Sequence, residues 1–387
     1  MVVLDVWSHI EPRFGGVGPA ASALASAVGL CNGLRAHQIA ICDQFEVRRA
    51  DGIDPRVEQL ANPAVRGWAD FKLSKILRHA VAGADVCHVH GLWVPHSLAI
   101  RRLANQLGKP LVSSVHGMLE RREMENKRLK KSVYSWLLER PSLARSLCLR
   151  ALSEREVGDY RCFGVDRPIA LVPNGIRAIE RIDTTEFLRT FPQLAGKSVV
   201  LFLGRVHPKK GVLNLLQAWK SVARCHDDAH LVIAGPEYAG TLTRARQIIQ
   251  DLNLQRAVTL MGLISGQTKL AALSAAKYFC LPSYSEGLSV AVLEALSIGL
   301  PAIITPECNI PTVASSGAGI STSNEPEALA QTLRACLSIG SRDWQAMSTA
   351  AHRLARTQFD WRVTGKAMHS VYEWLLGGNR PACIVAG

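Results

Sequence analysis

The chain has 387 residues, of which 48% are hydrophobic and 20% charged; this leaves room for two domains with separate cores and excludes a disordered chain. Its ten cysteines include no C-x-x-C pair, which excludes a zinc ribbon and argues for buried free thiols in a reducing compartment. The formal charge of +13 is shared by both halves, and with no zinc-finger or ribonucleoprotein motif beside it the excess points to an anionic ligand or surface rather than to nucleic acid.

Met1–Ile10 carries Asp5 and no Lys or Arg, so the basic start of an export signal is missing and a cytoplasmic location is expected. A first strand over Val2–Val6 leads to the turn Phe14-Gly15-Gly16-Val17-Gly18-Pro19 and a helix of small residues, Ala20–Gly29. Residues 14–34 hold no charge, yet Gly, Ala and Ser contribute little insertion energy, so a turn and a close-packed helix are expected there instead of a membrane span. Bare glycines at such a turn let N–H groups approach a phosphate or sugar, or serve only the turn itself. The spacing G-x-G-x-x-G is not matched, which counts against a nicotinamide dehydrogenase.

Apolar, β-branched runs follow at Asp85–His90, Pro110–Val115, Cys148–Leu152 and Ile169–Val172, alternating with helical patterns as βα units of a parallel sheet do. His90 ends one run and His116 follows another; a lone histidine is commonly structural, but the strand-end position favours a functional His116. Arg121–Lys131 contains six cations against two acids and precedes an aromatic-apolar stretch. It reads either as a segment lying on an anionic membrane face or as a solvated helix with an inward stripe at Val133, Trp136 and Leu137.

Asn174–Lys197 is polar and shows no strand, so the boundary is placed there, giving domains 1–180 and 181–360 and a final segment, 361–387, with a helix near Phe359–Leu376. Strands at Ser198–Leu203, His230–Ala234, Val258–Leu260, Tyr278–Leu281 and Pro301–Thr305 make a second sheet. The expected fold is α/β, two Rossmann-like doubly wound domains facing a cleft, with ligands beyond the carboxyl ends of the strands. At one such end stands Gly204-Arg205…Lys210-Gly211. Its two cations suit a diphosphate, as a planar fork and a point charge, unless they are merely solvated. At another, Pro282-Ser283 leads through Glu286-Gly287-Leu288-Ser289 into a helix reaching Ile298, and Ser289 is placed to cap it. Glu286 and Glu294 would stand about 12 Å apart if the rise were helical throughout. Both carboxylates can accept hydrogen bonds from sugar hydroxyls; a solvated Glu294 is the alternative, opposed by its apolar neighbours Leu293, Ala295 and Leu296.

These residues, with His90-Gly91, Val115-His116-Gly117, Ser153-Glu154, Val172-Pro173-Asn174-Gly175, Gly235 and Gly262, form a pattern that resembles the family-4 retaining glycosyltransferases of GT-B fold, the glycosyl transferases of group 1. The resemblance covers nearly the whole chain, and its Glu-x7-Glu block is specific. It implies that Arg205 and Lys210 hold the donor diphosphate, Glu286 the donor sugar and Glu294 the ribose, with His116 reaching the transferred sugar. It further implies that Gly204, Gly235, Gly287, Leu288 and Ser289 line the donor, that Gly16 and its neighbours close over donor and acceptor, and that the last helix crosses back to the first domain. The usual Glu-Gly-Phe-Gly reads Glu286-Gly287-Leu288-Ser289 here, a departure expected to affect donor choice.

No Asp-x-Asp occurs, so no metal and no cofactor are expected, and charge on the leaving diphosphate falls to Arg205, Lys210 and a helix dipole. The implied reaction moves a hexosyl group from a UDP- or GDP-sugar, with retention, to a glycan or lipid-linked acceptor in cell-surface polysaccharide or glycolipid assembly. A sugar-nucleotide epimerase shares this architecture, and a non-catalytic binding module would not need to keep Arg205, Lys210, Glu286 and Glu294 together.

Overall fold

The structure is a computed structural model that describes residues 1–8, 17–31, 33–42, 57–61, 71–120 and 134–385. Gly16 and the basic stretch Arg121–Lys131 lie outside the described residues. Contacts divide the chain into two units, Met1–Gly175 with Trp361–Gly387, and Ile176–Asp360.

The first unit is built on β1 (Val2–Ser8), β2 (Arg35–Cys42), β3 (Val57–Ala61), β4 (Val86–His90), β5 (Leu111–Ser114), β6 (Cys148–Ala151) and β7 (Ile169–Leu171). The second holds β8 (Ser198–Leu203), β9 (Ala229–Ala234), β10 (Val258–Gly262), β11 (Tyr278–Leu281), β12 (Ala302–Ile304) and β13 (Gly319–Ser321); β14 (Ile384–Val385) returns to the first. The sheet orders are β14-β7-β6-β5-β4-β1-β2-β3 and β10-β9-β8-β11-β12-β13. Every pairing is parallel except β14 with β7. Strand order therefore reverses between β1 and β4 in one sheet and between β8 and β11 in the other, and beyond the carboxyl ends at such switch points ligands bind.

Burial explains why these runs are strands. β4 and β9 are buried along their whole length, as expected of parallel strands covered on both faces. The helix Val212–Cys225 buries Leu215, Leu216, Trp219 and Val222, an i, i+1, i+4, i+7 stripe laid on the second core. The small-residue helix runs from Val17 to Val28, burying Ala21, Leu24, Ala25 and Val28, and lies against the terminal helix Trp361–Leu375. Among the described residues no helix is long and apolar enough to cross a membrane.

Several elements depart from the sequence expectation. β2 escaped because Arg35, His37 and Gln38 interrupt its apolar pattern; Gln38 is buried and accepts a hydrogen bond from the Ser22 hydroxyl at 3.0 Å. β3, β13 and β14 are short strands at or beside sheet edges. The interval Asn174–Lys197 contains a helix, Thr185–Thr190. Cys87, Cys148, Cys280, Cys308 and Cys336 are buried thiols, whereas Cys162 and Cys225 are exposed. Trp136 and Leu137 are 68% and 55% exposed, which removes the inward stripe that a solvated helix would need at those positions.

Candidate active-site residues in the two units

In the second unit the turn after β8 and the loop after β11 are stitched together by the backbone. Lys209 O accepts from Tyr284 N–H at 2.7 Å and from the Ser283 hydroxyl at 2.9 Å. His207 Nδ1 accepts from Lys209 N–H at 2.9 Å, which tightens the turn from its other side. Gly211 has φ +69°, and a Cβ there would lie 1.9 Å from Pro282 O; only glycine lets the turn close onto the end of β11. The closure brings Lys210 Nζ to 2.5 Å from Glu286 Oε1, with the two side chains 18% and 10% exposed. Asn309, at φ +59°, donates its side-chain amide to the carbonyls of Glu286 and Gly287 and holds the loop in place.

Glu294 sits on the helix Val290–Ser297 between buried neighbours and is not solvated. Its Oε1 accepts from Lys269 Nζ at 2.7 Å, with the carboxylate 16% exposed. Because the helix begins at Val290, the segment from Glu286 is not helical throughout, and the span reckoned from a helical rise does not apply. Each glutamate instead has its own cation. Ser289 stands at the N-cap, but its side chain makes no capping bond; the expected cap is not formed, and it satisfies none of the first-turn N–H groups. Arg205 is exposed and its guanidinium carbon lies 5.8 Å from the Tyr238 ring centroid, a cation–π distance. Gly204 N–H bonds to Ala234 O, and a Cβ at Gly235 would lie 1.8 Å from Gly204 O, so contact between the two strand ends already accounts for that glycine. Gly287 and Leu288 are half-buried beside Glu286.

The first unit gathers a polar group at its own switch point. Asp5 on β1 is in register with His88 on β4, and His90 shares the face of His88 because side chains alternate along a strand. His90 Nε2 is 3.3 Å from Asp5 Oδ1, and His90 Nδ1 is 2.9 Å from His116 Nε2. His88 binds Tyr372 OH through Nδ1 and Ser114 Oγ through Nε2, both at 2.7 Å. His116 has φ +54°, and the following Gly117 N–H donates to Glu156 Oε1 at 2.5 Å, which secures the turn. Glu156 belongs to a Ser-x-x-Glu helix start capped by Ser153, and its other oxygen accepts from Leu152 N–H at 2.6 Å. The loop after β4 is clamped as well. Arg101 and Glu139, fully buried at 2.7 Å, bind Gly91 O and Trp93 N–H.

Burial governs the protonation of this group. It pushes Asp5 up to about 8, partly offset by Arg150, and Glu156 up to about 7 against two backbone N–H donors. It holds His88, His90 and His116 well below the usual histidine range, with neighbouring histidines and Arg150 adding to the effect. Ligand atoms of Asp5, His88 and His90 lie within 4.8 Å of one another. Both nitrogens of each ring already bind protein atoms, however, so a metal would have to break that network.

Sequence reasoning named His116, Arg205, Lys210, Glu286 and Glu294; it did not name Asp5, His88, Glu156, Lys269, Asn309 and Tyr372, which the structure sets in the same two clusters. Two signals were readable: the His88-x-His90 alternation and the Ser153-x-x-Glu156 capping pattern. For Lys269 and Asn309 there was none.

Residues 184–353 match the family described as glycosyl transferases group 1, and residues 15–175 match the glycosyl transferase 4-like domain. A GDP-mannose:cellobiosyl-diphosphopolyprenol alpha-mannosyltransferase of Xanthomonas campestris is 26% identical, over 98% of each chain. A UDP-Gal:alpha-D-GlcNAc-diphosphoundecaprenol alpha-1,3-galactosyltransferase of Escherichia coli is 27% identical over 57% of each. Among solved structures, Anabaena Alr3699/HepE in complex with UDP and glucose has a TM-score of 0.77 at 16% identity, covering 97% of this chain and 100% of its own. That likeness speaks for the fold.

Proposed function

Because the chain belongs to the glycosyl transferases of group 1 and is a retaining hexosyltransferase of GT-B fold, we propose that its second unit holds a nucleotide-sugar donor through Arg205, Lys210, Glu286 and Glu294. It moves a hexosyl group to an acceptor in glycan assembly, and its relatives favour neither an epimerase nor a binding module. GDP-mannose is the proposed donor, because relatives that align nearly end to end are named for it, and a saccharide on a lipid diphosphate is the proposed acceptor.

The contact between Lys210 and Glu286 carries this reading. In a nucleotide sugar the bond that breaks joins the sugar carbon to the diphosphate, so the partners of those two groups must stand side by side. At 2.5 Å they do. Lys210 and Arg205 then offset the charge that grows on the leaving diphosphate, aided by the uncapped first turn of the helix Val290–Ser297. Glu286 accepts hydrogen bonds from the sugar, and Glu294, already oriented by Lys269, accepts them from the ribose. Retention puts the new bond on the face from which the diphosphate departs. The carbon–oxygen bond to phosphate breaks, that to the acceptor oxygen forms, and the acceptor's proton passes to the nearest base, the leaving phosphate oxygen. The family resemblance also assigns His116 to the transferred sugar. No step here calls on a metal.

Peripheral attachment is the matching reading for the basic stretch Arg121–Lys131, since it precedes the exposed Trp136 and Leu137, an arrangement suited to an anionic lipid surface.

A thermal-shift series with GDP-mannose, UDP-galactose and UDP-glucose, followed by transfer onto a polyprenyl-diphosphate saccharide, tests the proposal. Stabilisation and product with GDP-mannose are expected. If no nucleotide sugar raised the melting temperature or yielded product, the donor assignment would fall; conversion of the donor without any acceptor would turn the reading to epimerisation.

A further inference from the structure

Three side chains of the first unit lie in one hydrogen-bonded line. Asp5 Oδ1 meets His90 Nε2 at 3.3 Å, and His90 Nδ1 meets His116 Nε2 at 2.9 Å. Asp5 and His90 are 1% and 0% exposed, and His116, on its left-handed turn, is half-buried. Among the described residues His116 Nδ1 has no hydrogen-bond partner, so the line has a closed end at Asp5 and an open end at His116.

We infer that Asp5, His90 and His116 form a proton relay in which the protonation of Asp5 decides whether Nδ1 of His116 accepts or donates a hydrogen bond. The direction of every bond follows from neutral imidazole, which has one donor and one acceptor nitrogen. With Asp5 a carboxylate, His90 must donate from Nε2 to Asp5, its Nδ1 accepts from His116 Nε2–H, and His116 Nδ1 is left as an acceptor. With Asp5 protonated, its O–H donates to His90 Nε2, His90 Nδ1–H donates to His116 Nε2, and His116 Nδ1 carries a proton and donates. The two states differ by one proton. It enters at His116 Nδ1, the Nε2 proton of His116 moves to His90 Nδ1, and the Nε2 proton of His90 moves to Asp5. With the three transfers concerted, both imidazoles are neutral in each of the two states.

The surroundings favour this course. Burial holds both imidazoles neutral and raises the affinity of Asp5 for a proton, to about 8. The groups facing Asp5 are His88 and His90 from β4, Arg150 from β6 and Tyr372 from the terminal helix. Of these, Arg150 alone carries a charge at neutral pH, and it pulls the midpoint down without reversing the effect of burial. His88 cannot replace His90 in the line, because its two nitrogens are taken by Tyr372 and Ser114. Glu156 acts on the same turn from its far side, through Gly117 N–H, and fixes where His116 points. Asp5 and His90 are thus positioning residues. If His116 faces the transferred sugar, as the functional reading has it, the relay sets which sugar oxygen arrangement it can bind.

The test is the tautomer of His116 in the full chain, read by long-range proton–nitrogen correlation between about pH 6 and 9, with His116→Gln assigning the signal. Wild type should pass from Nδ1–H to Nε2–H as pH rises, with no imidazolium signal, and Asp5→Asn, which has no proton to exchange, should hold one tautomer throughout. A wild-type His116 that keeps a single tautomer, or an Asp5→Asn variant that still switches, would overturn the relay. If Asp5→Asn fails to fold, the wild-type titration alone decides. Transfer rate against pH separates this inference from the functional reading, for a tautomer switch with no matching limb in the rate profile leaves the relay standing and removes His116 from the sugar.

Discussion

Exchanging each glutamate of the second unit for glutamine should split substrate binding from turnover. Glu294→Gln keeps the shape of a side chain that is 16% exposed and bound to Lys269 at 2.7 Å. A charged hydrogen bond contributes about 1.5–3 kcal/mol net, which is roughly 10- to 150-fold in a binding constant. Lys269 already neutralises part of the charge and the amide oxygen can still accept from a ribose hydroxyl, so the effect should sit at the low end. Donor Kd should rise about 10-fold while kcat stays within roughly 3-fold, because the ribose does not react. Glu286→Gln should do the reverse. Its carboxylate is 10% exposed and touches Lys210, and the proposed partner sugar gains positive charge as the bond to phosphate stretches. The loss therefore falls on the transition state, about 10- to 100-fold in kcat with only a small change in donor Kd. Calorimetric titration with the donor and initial rates at saturating donor measure the two quantities separately. If Glu294→Gln collapsed turnover at saturation and Glu286→Gln altered only binding, the donor would lie the other way round and the assignment would be refuted.

Gly211→Ala adds a Cβ 1.9 Å from Pro282 O at φ +69°; the left-handed conformation alone costs about 1–2 kcal/mol, so the melting temperature should fall and donor stabilisation should vanish, whereas wild-type values for both would contradict the stitched turn. Arg205→Ala and Lys210→Ala should each remove most transfer while the chain stays folded, and wild-type turnover in either would strike it from the diphosphate site. Activity should survive a chelator, and loss restored by manganese or magnesium would establish metal dependence. Neutralising Lys127, Arg128, Lys130 and Lys131 together should weaken binding to anionic vesicles, most at low salt; unchanged sedimentation with vesicles would return the stretch to a solvated role. Asp5 holds its proton up to about 8 when folded but releases it near 3.8 when unfolded, so its contribution to stability is full below pH 3.8 and is lost progressively up to about 8. Asp5→Asn should therefore gain on wild type in thermal stability as pH rises across that window, and a constant difference would show that Asp5 ionises freely in the folded chain.

What could be read from the sequence divides along a physical line. Ten strands announce themselves because a parallel strand buried on both faces needs a mainly apolar run, broken in places by buried polar residues such as Asp5 and His88, and Ser198–Leu203 and Tyr278–Leu281 fall where that pattern puts them. β2 does not, because Arg35, His37 and Gln38 interrupt the first half of its run, and the buried Gln38 is satisfied by Ser22 from a neighbouring helix. The site follows the same division. Arg205, Lys210 and Glu286 stand in strand-end loops next to glycines and prolines that mark the chain locally, and Glu294 follows on the short helix between apolar neighbours. Lys269 and Asn309 carry no local mark. They act on Glu294 and on the Glu286 loop across 25 and 23 residues of sequence, and only the closed fold makes them neighbours.

The polar heart of the first unit raises the same point more sharply. A buried carboxyl beside three imidazoles would be costly if each group were judged alone, since unpaired buried polar groups are destabilising. In the fold, Asp5 is met by His90, His88 by Tyr372 and Ser114, and Glu156 by two backbone N–H groups. Tyr372 comes from a helix 284 residues further on than His88, so the chain must return to its first unit before that core is satisfied. The terminal helix is thus a condition for a neutral, proton-sharing group at the β1–β4 switch point. A deletion that ends the chain at Asp360 would strip His88 of one partner and leave the first core open on that face. It should cost the first unit its cooperative unfolding while sparing the second, whose residues run from Ile176 to Asp360; two-step melting of the intact chain resolved by calorimetry, with only the first-unit transition lost on deletion, is the expected result, and an unaltered first transition would mean that the imidazole network closes without Tyr372.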